Sequence, residues 1–102
     1  MIFAEMDYEG EYQNVHEELV SLFRGEFLQV ESGLQGDSWI WVLDGSDKVA
    51  IDTFTSMKHQ IKSSRPGAHV QKVIEVLLRK YKVTIYQTPE LEGHEDMGRG
   101  GA

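Results

Sequence analysis

The chain contains no cysteine. That excludes a disulfide framework, an iron–sulfur centre, a thiolate zinc finger and a thiol nucleophile. No stretch approaches the ~18 consecutive apolar residues of a membrane-spanning helix, and there is no internal repeat. The opening residues, Met1, Ile2, Phe3 and Ala4 followed by Glu5, make too short and too acidic a run for a secretory signal. A GxSxG elbow, a Walker loop and a GxGxxG after a strand are all missing. The four histidines (His16, His59, His69 and His94) form no HxH, HxxH or HExxH spacing, so no metal site and no cofactor is predicted. Asp44-Gly45-Ser46-Asp47 lacks the alternating acids and terminal Glu of a calcium loop. The expectation is a soluble, cytoplasmic protein that does not engage a membrane.

What is present suffices for one domain. The 102 residues are 40% hydrophobic, enough to bury a modest core, and the formal net charge is −7. The charge is strongly segregated. Residues 1–57 hold twelve acids and two bases, whereas residues 58–82 hold seven bases and one acid. Such asymmetry marks complementary faces or a basic patch on an acidic protein.

Hydrophobic spacing predicts the elements. Tyr8, Tyr12, Val15, Leu19, Leu22 and Phe23 recur at helical steps, which predicts a helix over 8–24. Asp7, or alternatively Asn14 with Glu17, would cap it, and Gly25 would end it. Phe27–Glu31 alternates weakly, with Leu28 and Val30 on one side and a turn at Gly33 and Gly36. Trp39-Ile40-Trp41-Val42-Leu43 is the clearest strand, and Asp44–Asp47 turns it back into Val49–Thr55. If Leu43 faces Lys48, then Val42 faces Val49 and Ile40 faces Ile51. Trp39, Trp41, Ala50, Asp52 and Phe54 then share the opposite surface. Residues 56–64 read as a lysine-guarded edge strand, with a short helix as the other option. Val70, Val73, Ile74, Leu77, Leu78 and Tyr81 mark a second helix, capped by Ser63 or Ser64 with Pro66 in its first turn. Val83–Thr88 is a last strand stopped by Pro89.

The resulting order, α-β-β-β-(β)-α-β, predicts an α+β fold of two layers: an antiparallel β-meander of three to four strands plus a C-terminal strand, with two helices packed on the sheet. One helix on each face is the alternative. Residues 1–89 form the globular domain, and 90–102 form an acidic, then glycine-rich, flexible tail. His94, Glu95 and Asp96 in that tail read as solvated residues rather than cation ligands.

Three functional readings follow. In the first, two helices on the Ile40/Val42 side leave Trp39, Trp41 and Phe54 as an aromatic sheet face. Three such side chains make a patch of several hundred Å², roughly the most that monomers expose. The protein is then a small acidic interaction module without catalysis, a homodimer or the binder of a protein partner. An inhibitor whose acidic surface steers it onto a basic enzyme is one form of this. In the second, Lys58, Lys62, Arg65 and Lys72 contact nucleic acid, which the overall negative charge disfavours. In the third, a pocket between sheet and helices holds a small ligand or substrate. Paired acids such as Asp37 and Asp52 have no feature that marks them as catalytic, and His16 reads as a boundary residue of the first helix rather than a base.

Overall fold

We describe residues 1–92 in a computed structural model of the chain. Its elements run β1 (Ile2–Asp7), α1 (Tyr12–Glu26), β2 (Gln29–Gln35), β3 (Asp37–Asp44), β4 (Asp47–Asp52), β5 (Gln60–Lys62), α2 (Ala68–Leu78) and β6 (Lys82–Glu90). The six strands form one antiparallel sheet in the order β2-β3-β4-β5-β1-β6, so the fold is α+β in two layers. Strands β2 to β5 are the expected meander. Among the described residues no helix is long and apolar enough to cross a membrane.

The β3–β4 hairpin has the register that its side chains dictate: Leu43 opposite Lys48, Val42 opposite Val49, and Ile40 opposite Ile51. Pairing like with like puts four β-branched residues on one side, where both helices settle. Helix α1 packs on β2 and β3, α2 packs on β4, β5 and β6, and the helices touch each other. Leu19, Val20 and Phe23 of α1 and Val70, Val73, Ile74 and Leu77 of α2 meet Ile40, Val42, Val49, Ile51 and Ile61 in one apolar core. The placement of one helix on each face is thereby excluded.

Several elements differ from the sequence expectation, each for a local reason. Strand β1 was not anticipated. It lies between β5 and β6, and a register irregularity between Ile2 and Ala4 interrupts the alternation, so that Ile2, Phe3 and Ala4 are buried in succession. Helix α1 starts four residues later than the spacing suggested. Gly10 sits at φ 86°, a left-handed conformation that breaks the helix upstream, and Glu11 becomes the N-cap without a side-chain cap. Tyr8 is thus free of the helix, and Gly25 lies inside the last turn instead of beyond it. Gly67 caps α2 in place of the serines. Leu28 is fully exposed and does not share a face with Val30, because β2 begins after it and runs through Gly33 to Gln35. The segment expected as a lysine-guarded edge contributes only the short β5, and that strand sits inside the sheet. Pro89 lies within β6, which tolerates it as an edge strand. Of the expected tail, Glu90 belongs to β6, and residues 93–102, with His94, Glu95 and Asp96, lie outside the described residues.

The core makes a quantitative demand. Phe23 is fully buried beneath the sheet, so Phe23→Ala is expected to lower the unfolding free energy by about 3–5 kcal/mol. Leu78→Ala, at a position 49% exposed at the end of α2, should cost less than about 1 kcal/mol. Urea titration of both variants checks the contrast, and equal losses would place the core elsewhere.

Candidate functional site

Among the described residues, the sheet face opposite the helices carries no helix. Trp39 and Trp41 alternate with the buried Ser38, Ile40 and Val42 along β3, so both indoles point to this open side and stay partly exposed. Their rings touch, with centroids 4.7 Å apart and planes tilted by 45°. The Lys48 ammonium lies 4.1 Å from the Trp41 ring centroid, a cation–π contact that anchors that side of the pair. Trp39 lies over Gly33 on the neighbouring strand. A Cβ there would stand 2.4 Å from the indole Nε1, so the glycine makes room for the ring. Phe54 is 54% exposed in the loop after β4.

The open face divides into an aromatic half and a polar half. Strand β4 marks the boundary with Ala50 opposite Trp41 and Asp52 opposite Trp39. Beyond it, Lys62 on β5 is nearly enclosed and bridges two carboxylates, Asp52 at 2.6 Å and Glu92 at 2.7 Å. Its ammonium also donates to Thr55 Oγ1 at 3.1 Å. Burial works to lower the Lys62 pKa, but the hydrogen bonds and charges of Asp52 and Glu92 outweigh it and hold the ammonium above its usual range. Further along, Gln60 donates to Glu5 at 3.0 Å. The small side chain of Ala50 between Trp41 and Lys62 leaves a depression of about 550 Å³, lined among others by Trp41, Lys48, Asp52, Phe54 and Lys62. Two of the three expected aromatic residues, Trp41 and Phe54, therefore meet one of the expected cations at a single concavity, and Trp39 lies beside it against Trp41. It lies on the open face, not between sheet and helices.

The other three cations are dispersed. Lys58 donates to the carbonyls of Tyr8 and Gly10 at 2.6 and 2.9 Å and lies over the Tyr8 ring. Arg65 pairs with Asp47 at 2.6 Å, and Lys72 on α2 stands 3.8 Å from Asp44. Each of the four bases meets an oxygen of its own chain.

A polar cluster that sequence spacing did not reveal lies on the helix side. Ser38 Oγ is 2.5 Å from His16 Nδ1 and 2.7 Å from His59 Nε2, and Tyr8 Oη is 2.8 Å from His59 Nδ1. The Ser38 hydroxyl has one proton to give, so one imidazole accepts from it and the other donates to it. His16 is buried in this chain rather than at the boundary of the helix stripe. Ser38 and His59 are completely enclosed, so the arrangement resembles a serine–histidine dyad in contacts alone: no substrate reaches the hydroxyl. Burial lowers the His16 pKa and takes that of His59 down to about 4, the second also through the nearby His16, and burial pushes Tyr8 up to about 12. Both imidazoles are neutral at pH 7. The residue numbers 8, 16, 38 and 59 carry no periodic signal. The one legible hint was Ser38 sharing parity with Ile40 and Val42, which places a hydroxyl in the core, where it needs partners.

Comparisons with protein-family models, with curated proteins and with solved structures found no match to the chain. Among the described residues, no group of three or more His, Asp or Glu side chains is placed to hold a metal ion.

Two outcomes follow from the buried groups. Below pH 6.5 the unfolded chain takes up protons on its histidines while the native His59 stays neutral until about pH 4. Stability is thus full above pH 6.5 and falls as the pH drops toward 4, by roughly 3 kcal/mol for His59, with His16 adding in the same direction. Urea midpoints at pH 8, 6 and 4.5 should decline in that order, and His59→Gln should flatten the decline. The second concerns Lys62→Met, which leaves the enclosed Asp52 carboxylate without its counter-ion and should cost about 3–5 kcal/mol. Replacing both partners, as in Asp52→Leu with Lys62→Met, should recover much of that loss; a double variant as weak as the single would show that packing, not charge, was lost.

Proposed function

We propose that this protein is a small, acidic, non-catalytic interaction module that engages a protein partner through the helix-free face of its sheet, with Trp39, Trp41 and Phe54 as the contact residues. The observation that carries this reading is the open aromatic half-face itself. The partly exposed Trp41 indole and a 54% exposed phenyl ring border a depression of about 550 Å³, with the Trp39 indole against Trp41, on the side that neither helix covers. Burying a side chain of that size gains about 25 cal/mol per Å², so the patch favours a covering surface. Tryptophan is also over-represented among the residues that dominate binding energy.

The polar half of the same face adds specificity. The Lys62 ion pairs and Lys48 fix charges around the aromatic patch, an arrangement of apolar centre and polar rim typical of recognition surfaces. Against catalysis speaks the sealed position of Ser38, His16 and His59. Against polyanion binding speak the net charge of −7 and the dispersal of Lys58, Lys62, Arg65 and Lys72, each engaged by the chain's own oxygens. The module works in the cytoplasm on this reading. The volume of the depression also falls within the range of small-molecule sites, which makes an apolar metabolite the second candidate occupant.

Selection from a random peptide library against the immobilised protein tests the reading. Selected peptides are expected to carry aromatic or long apolar residues and to lose at least about tenfold in affinity for Trp41→Ala and for Phe54→Ala. Peptides that bind both variants as tightly as the parent would place the interaction surface elsewhere.

A further inference from the structure

Among the described residues the sheet has two unpaired edges, and they differ in how they are protected. The β6 edge begins with Lys82, contains Pro89 and pairs with β1 through an irregular register. Those are recognised devices against edge-to-edge association. The β2 edge, Gln29–Gln35, has no proline, no lysine and no arginine, and its pairing to β3 runs unbroken through all seven residues. Its outer row of backbone donors and acceptors has no such guard among the described residues, and Leu34 is 39% exposed beside it.

We infer that β2 pairs antiparallel with β2 of a second copy of this chain, about a two-fold axis through Ser32, to give a continuous twelve-stranded sheet. The sequence of the strand is complementary to itself in this register. Two identical antiparallel edges join outward-pointing groups to outward-pointing groups, so paired residue numbers sum to an even value. Centring on Ser32 is the one choice that engages all seven residues. It sets Val30 opposite the partner's Leu34, Glu31 opposite the partner's Gly33, and Gln29 opposite the partner's Gln35. Centring on Glu31 or Gly33 shortens the ladder to five residues, and the first also brings Glu31 against the partner's Glu31, a like-charge contact.

Both faces gain from the Ser32 register. On the helix side, Val30 already packs against the core, and the partner's Leu34 extends that apolar surface across the axis. On the open side, Glu31 is the single charged residue of β2, and the partner's Glu31 arrives directly opposite Gly33. The Trp39 indole lies over that glycine with Nε1 as its nearest atom, and no acceptor among the described residues meets this N–H. Directly opposed residues have Cβ atoms about 4.5–5.5 Å apart, within the reach of a glutamate side chain. Each copy thus supplies a carboxylate to the indole N–H of the other. The inference goes beyond the reading of the open face, because the ladder uses the backbone of β2.

A single seven-residue ladder buries less than the ~1,600 Å² of a standard stable interface, so the dimer is reversible. Sedimentation equilibrium from about 1 to 500 μM should show a monomer–dimer equilibrium with a micromolar constant. Leu34→Lys places a gatekeeping charge on the edge without touching the core and should leave a monomer with an unchanged thermal midpoint. Glu31→Ala should weaken the dimer by about tenfold or more and abolish the concentration-dependent shift of the Trp39 indole N–H resonance. Trp41→Ala and Phe54→Ala should leave the dimer intact. A parent protein that stays monomeric throughout the range would overturn the inference. So would a dimer insensitive to Leu34→Lys but dissociated by Trp41→Ala; that result would keep the open-face reading and move self-association onto it. Conversely, an edge dimer combined with selected peptides that ignore Trp41 and Phe54 would sustain the inference and end that reading.

Discussion

Two helices have to cover one side of a six-stranded sheet, and they leave nothing for the other. That constraint shapes the rest of the molecule. The β-branched residues of the central hairpin all point to the helices, so the large aromatic residues that alternate with them are forced outward. A strand with apolar side chains on both faces suits a sheet covered on both faces. Among the described residues the helices cover one, and the resulting open half-face is the physical basis of the proposed interaction.

The polar groups are arranged so that this one-sided layer holds together. On the helix side, the Tyr8–His59–Ser38–His16 chain ties the loop before β5 to β3 and to α1, which satisfies hydroxyl and imidazole groups at the end of an otherwise apolar core. On the open side, Lys62 binds Asp52 of β4 and Glu92 beyond β6 and so links three separate stretches of chain across the middle of the sheet. Enclosed groups of this kind specify one arrangement more than they add net stability, since a mispaired alternative would leave charges or donors unsatisfied. Each also removes residues from the list of available catalysts or anion contacts: the serine is sealed and the lysine is neutralised.

How much of this was legible beforehand depended on the range of the interaction. The β3–β4 register could be read in full, because its turn and its alternation are local and agree with each other. Both helices could be placed from their stripes, with boundaries shifted by backbone devices at Gly10 and Gly67 that periodicity does not sense. Strand β1 was missed because a short apolar run at the chain's start has no alternation, and its partners, β5 and β6, are some 55 and 80 residues away. The same distance hid the site chemistry. Lys62 was noticed as a cation, but its partners Asp52 and Glu92 are joined to it by the fold alone, and Tyr8, His16, Ser38 and His59 are assembled from four elements with no common spacing.

The central claim is that Trp39 and Trp41 face outward on an uncovered sheet in the single chain. Acrylamide quenching of tryptophan fluorescence tests it most directly, measured well below the concentration at which the protein associates and compared with the unfolded chain. The account predicts clear quenching in the native state, short of that of the unfolded chain, as expected of partly exposed indoles. Blue-shifted emission that the quencher barely touches would mean the chain itself encloses both rings, and would contradict the account.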